Sequence, residues 1–140
     1  MERAGSPIEA IREGCRSSRA YTISQDVYDA FLRASGDVNP LHTDDAFASS
    51  LGFPEKVMHG TILNCFISHF VGMHFPGGRV LLHAVDTQFK SPSHLGDVIR
   101  IDARVTQAAE SVGVVVMSLV LTNETRDRVA AKARVQVGLR

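Results

Sequence analysis

The sequence predicts an α+β protein in which an antiparallel sheet wraps around one long central helix. Three observations carry that expectation. Residues 61–75 form an apolar run of helical length with almost no polar face; residues 98–105 and 128–138 alternate apolar and polar side chains; and residues 112–121 are apolar on both faces. Period-2 alternation marks half-buried strands. A helix without a wet face has to be enclosed by something, and a sheet is the enclosure on offer.

Taken in order, Ser6-Pro7-Ile8-Glu9 has the form of a capping box, which predicts a short helix through Glu13 ended by Gly14. A brief strand is expected at 19–23. Ser24 then caps a helix whose apolar positions Val27, Tyr28, Phe31 and Ala34 recur at helical spacing, and Ser35-Gly36 closes it. Asp37-Val38-Asn39-Pro40 is expected to be a loop, because Pro40 disfavours helical geometry at Asn39. A short helix over 44–51 follows, stopped by Gly52. The apolar helix after His59-Gly60 would be about 22 Å long at 1.5 Å per residue. Pro76-Gly77-Gly78 ends it, and strands are expected at 79–89, 98–105, 112–121 and 128–138, with 112–121 central or under a partner subunit. Such a sheet has open edges, which predicts a homodimer paired edge to edge.

Composition narrows the function classes. The 140 residues hold 15 Lys+Arg against 15 Asp+Glu, with 44% hydrophobic residues, which suits one globular domain. Without a basic run, a nucleic-acid surface has no electrostatic support. The segment 61–75 falls short of the ~20 residues that cross a bilayer, so no membrane is expected. The first twenty residues carry Glu2, Arg3, Glu9, Arg12 and Glu13 and no signal-like apolar stretch. Cys15 and Cys65 sit in no CxxC pair, so reduced thiols in a cytoplasmic protein are expected.

Chemistry concentrates around Pro40. Asp37, Asn39 and His42 lie within six positions of one another on a stiff loop. A carboxylate and an imidazole presented together can hold one water for general acid/base work near neutral pH. The same residues also read as ordinary turn formers, with His42 capping the next helix. Gly60 opens the apolar helix, where backbone N–H groups lack partners and an oxyanion can settle; a glycine there also serves simply to turn the chain. His69 and His74 are five apart on one helix, which does not stack them as a metal pair. Lys90, Arg100 and Arg104 read as solvated strand charges or as contacts to carrier phosphates.

Residues 35–42, Ser-Gly-Asp-Val-Asn-Pro-Leu-His, with Ala48 beyond, then His59-Gly60, then Phe89-Lys90-Ser91-Pro92 and Gly96-Asp97, resemble the MaoC-like (R)-specific enoyl-CoA hydratases. The similarity runs from about Tyr21 to the C-terminus, which divides the chain into an N-terminal extension, 1–18, and a MaoC-like domain, 19–140. Ala34 departs mildly from the family signature, at no catalytic position. The resemblance implies a hotdog fold and the hydration of a trans-2-enoyl thioester to the (R)-3-hydroxyacyl thioester, or the reverse dehydration. It further implies that Asp37 and His42 activate the water, that Asn39 orients the pair or the water, that Gly60 with His59 binds the thioester carbonyl, and that Ser68 lines the site. The substrate would be an acyl thioester of coenzyme A or acyl carrier protein, with no metal or redox cofactor needed. Two other readings of the same fold stay open: an acyl thioesterase, and a non-catalytic subunit that binds acyl thioesters.

Overall fold

Strands dominate where β-branched and apolar residues alternate, and the computed structural model, which describes residues 11–140, brings them into one five-stranded antiparallel sheet. The elements are β1 (Arg16–Thr22), α1 (Gln25–Ser35), α2 (Pro40–Thr43), α3 (Asp45–Ser50), α4 (Ile62–His69), β2 (Val80–Phe89), β3 (Val98–Ala109), β4 (Val114–Asn123) and β5 (Arg128–Leu139). The strand order is β1-β3-β4-β5-β2. β4 is therefore central, as its two apolar faces required.

The capping box at 6–9 lies outside the described residues. Residues 11–13, the expected end of its helix, are not helical: Gly14 turns the chain at φ 87°, and its N–H donates to the Val105 carbonyl at 2.8 Å. That bond starts the pairing of β1 with β3, so the first strand begins at Arg16 rather than Arg19. α1 forms as expected, with the Ser24 hydroxyl accepting from Val27 N–H and Gly36 closing the helix at φ 66°.

The core helix departs from its expected form. It is α-helical only over Ile62–His69 and continues as a π-helical turn over Phe70–His74. Ile62, Leu63, Phe66, Ile67, Phe70 and Val71 are buried against the sheet. Fully burying side chains of this size stabilises the fold by roughly 1.5 to 3 kcal/mol each. Thr61, Cys65, Ser68 and His69 are exposed, so in a single chain the helix does have a wet face. β2, at the sheet edge, is likewise open on both faces, with Leu81 at 53%, Leu82 at 40% and Val85 at 37% exposure. Val85 and Phe89 alternate with Asp86 and Gln88 along this strand, yet within a single chain neither face is covered.

Candidate active site

The loop between α1 and α3 is built by short-range polar side chains. Asp37 N–H donates to the Ser35 hydroxyl (3.1 Å), Asn39 N–H to Asp37 Oδ1 (3.2 Å), and Leu41 N–H to Asn39 Oδ1 (2.9 Å). Asn39 is the N-cap and Pro40 the first residue of α2, a single turn where a plain loop was expected. Proline suits that first position because its missing N–H has no helical partner there anyway. This turn carries His42 and aims its ring inward.

His42 Nδ1 lies 2.7 Å from the Val57 carbonyl oxygen, which only accepts, so in the neutral ring Nδ1 carries the hydrogen and Nε2 the lone pair. Nε2 is 4.0 Å from Asp37 Oδ2, with the two side chains 19% and 49% exposed. Four ångströms is beyond a hydrogen bond but is the span one bridging water fills. His42 is thus not a helix cap; its ring is held from the Val57 side and open towards Asp37.

His59 is buried at 3% exposure, and its Nε2–H donates to the Asp37 carbonyl oxygen at 2.8 Å. Its ring lies between those of His42, 4.0 Å away, and Phe31, 4.7 Å away. Its Nδ1 is the one buried side-chain polar atom without a partner among the described residues. What the geometry gives His59 is a hold on the backbone of Asp37. A carboxylate oxygen of Asp37 and one ring nitrogen each of His42 and His59 fall within 4.8 Å of one another, close enough to share a small ligand.

Beside these rings lies a cavity of about 380 Å³, lined by His42, His59, Gly60, Leu63, Phe89 and Lys90 among others. Among the described residues the Gly60 N–H has no hydrogen-bond partner. The Phe89 ring rests on Gly60 so closely that a Cβ there would meet ring carbons at 3.2 Å. Close approach, rather than a positive φ, is what favours glycine at this position.

Of the expected site residues, the structure brings Asp37, His42, His59 and Gly60 together. Asn39 is exposed and caps α2, which positions His42 through the backbone. Ser68 is exposed on α4 and does not line this cavity. The Val57 carbonyl and Phe89 were missed. The first is a backbone atom with no side-chain signature; the second stood within the Phe89-Lys90-Ser91-Pro92 segment but was given no role.

An antiparallel sheet packed on a central helix defines a hotdog-fold protein, here with a carboxylate and an imidazole beside a cavity at the helix start. Residues 8–126 match the family described as MaoC like domain, and the chain belongs to that family. It is 32% identical over 99 residues to an (R)-specific enoyl-CoA hydratase of Rhodospirillum rubrum, a match covering 71% of this chain and 69% of that one. A mitochondrial 3-hydroxyacyl-[acyl-carrier-protein] dehydratase of Arabidopsis thaliana is 32% identical over 69% of this chain and 55% of its own length. The solved (R)-hydratase of Aeromonas caviae involved in PHA biosynthesis superimposes with a TM-score of 0.86 at 24% identity, covering 94% of this chain and 99% of that one.

Proposed function

We propose that this protein adds water to a trans-2-enoyl thioester to give the (R)-3-hydroxyacyl thioester, or runs the reverse dehydration. What supports the reading is a single arrangement: an imidazole whose tautomer leaves Nε2 free, a carboxylate oxygen 4.0 Å from it, and an unpaired backbone N–H at Gly60 on the same cavity. Family membership and the named relatives point the same way.

The mechanism follows from where charge develops. Water sits between His42 Nε2 and Asp37 Oδ2. As its oxygen bonds to the β-carbon, His42 takes its proton and negative charge moves to the thioester oxygen as an enolate. The Gly60 N–H faces that oxygen and stabilises the transition state more than the substrate. The pair then returns the proton to the α-carbon on the same face, which makes the addition syn. His59 and Asn39 act through the loop, fixing the backbone of Asp37 and the turn that carries His42.

The thioester belongs to coenzyme A or an acyl carrier protein; the relatives include enzymes named for each. A second copy of the chain pairs along β2, whose apolar Leu81, Leu82 and Val85 are exposed, and covers the open face of α4 that holds Ser68. A cytoplasmic setting is part of the same proposal. Light scattering on Val85→Lys, which charges that edge, should shift the molar mass from dimer to monomer; an unchanged dimer rejects the β2 pairing.

The activity test is loss of the conjugated enoyl absorbance from a short trans-2-enoyl-CoA, beside release of free thiol from a saturated acyl-CoA. Hydration without thiol release is the expected outcome. Thiol release alone makes the protein a thioesterase, and neither makes it a non-catalytic binder.

A further inference from the structure

Gly96-Asp97 belongs to the family-like pattern, yet the reaction above uses neither residue. Asp97 is 2% exposed, and its Oδ2 receives three hydrogen bonds: from His94 N–H at 2.9 Å, Asn123 Nδ2 at 2.8 Å and Arg126 Nε at 2.8 Å. Asn123 also donates to the Ser93 hydroxyl at 3.3 Å, and Arg126 reaches on to Glu55 Oε1 at 3.4 Å. These contacts tie the turn between β4 and β5 to the loop before β3 and to the segment leading into α4.

The tied loop in turn holds the wall of the site. His94, itself 1% exposed, donates Nδ1–H to the Lys56 carbonyl at 2.9 Å, and the Ser93 carbonyl accepts from Met58 N–H at 2.9 Å. Both neighbours of Val57 are therefore anchored on residues 93 and 94. The residue between them supplies the carbonyl that fixes the His42 tautomer, and three positions later comes the Gly60 amide. An ion pair of this kind, buried on the Asp97 side and part-exposed at Arg126, gains little stability over well-packed apolar side chains, but it does fix geometry.

We propose that Asp97 and Arg126 are positioning residues, a part-buried clamp that holds Val57 and Gly60 in register through Ser93 and His94 and so keeps the proton of His42 on Nδ1. The proposal rests on the hydratase reading for its kinetic consequence but not for its structural one. Displacements of about an ångström in a catalytic group can cost about 100-fold in rate. Loss of the clamp shifts Val57 and leaves His42 free to carry its proton on either nitrogen, so the fault appears in the chemical step rather than in substrate binding.

The experiment is Arg126→Ala, with Arg126→Lys as the conservative partner, assayed for enoyl-CoA hydration well below each variant's Tm. The histidine tautomers are read in parallel from long-range proton–nitrogen NMR spectra of 15N-histidine-labelled protein. Arg126→Ala should lose roughly 10- to 100-fold in kcat with KM within about twofold, and its His42 signal should move from the Nδ1–H form to a mixture; Arg126→Lys should recover part of both. A folded Arg126→Ala with parental kcat, or with the His42 tautomer unchanged, overturns the proposal. If Arg126→Ala does not fold, Asp97→Asn carries the same two measurements. An inactive parent defeats the hydratase reading alone, because the imidazole spectrum still decides this one.

Discussion

Asp37 and Asp97 both meet histidine residues, Asp37 through the rings of His42 and His59 and Asp97 through the backbone N–H of His94, and their surroundings are opposite. Asp97 is buried and its Oδ2 is saturated by three donors. Asp37 is half-exposed, its Oδ1 takes one backbone N–H, and its Oδ2 faces two imidazoles at 3.9 and 4.0 Å with no direct hydrogen bond. A carboxylate oxygen held by three donors fixes structure, whereas an open oxygen next to a lone-pair nitrogen can bind water and move a proton. The chemical type is the same at both places; the number of donors already in place separates a clamp from a working group.

The contrast breaks most visibly at the open carboxylate. His42→Ala and Asp37→Asn should each lower kcat by about 10²- to 10⁴-fold, while Asp37→Asn, on an exposed loop, should change unfolding free energy by no more than about 0.5 kcal/mol. Steady-state rates beside denaturant melts check both; a parental rate in either variant removes that residue from the mechanism.

At the closed carboxylate the effect should reverse in kind. Asp97→Ala leaves the Arg126 guanidinium and two N–H donors without their acceptor and should cost roughly 1 to 3 kcal/mol of stability, held down because Arg126 is 30% exposed. Burial pushes the Asp97 pKa up, but the hydrogen bonds from Asn123, His94 N–H and Arg126, with the Arg126 charge, outweigh it and hold the group below its usual value. A carboxyl depressed in the folded state stabilises above its unfolded pKa of about 4, and that stability is lost as pH falls from there towards the folded value. Melts across that acid range should therefore be less steep in Asp97→Asn than in the parent. Equal slopes place the acid sensitivity elsewhere.

The smallest effect is expected at the amide. Gly60→Ala sets a methyl 3.2 Å from the Phe89 ring, which is 48% exposed and can shift aside. A several-fold rise in KM with little change in kcat is the expected result, restored by the smaller side chain of Phe89→Leu. A collapse of kcat instead means that the methyl blocks the oxyanion position itself.

Much of this was legible from local signals. Ser24 and Gly36 bound α1 because caps act within a turn, β3 and β5 follow from alternation because pleating acts within a strand, and β4 follows from a run apolar on both faces. The rule that Pro40 keeps Asn39 out of helical geometry held, with Asn39 at ψ 134°, yet the same proline begins α2. A rule about one residue does not fix what the next one starts. Non-local features were not legible. That β2 ends up on an edge depends on its pairing with β5, and the pairing of Asp97 with Arg126 joins residues 29 apart with β3 and β4 between them. His59, which lines the cavity, also turns its N–H to the Asp37 carbonyl, a partner 22 residues away that nothing in its neighbourhood signals.

Phe89 is both the last residue of the edge strand and the side chain resting on Gly60. The entrance to the chemistry is thus built from an edge strand, which has a sheet neighbour on one side only. If that edge is shared between two copies, specific activity should fall on dilution before any unfolding sets in, so that the amount of protein in the cell tunes turnover per molecule as well as in total.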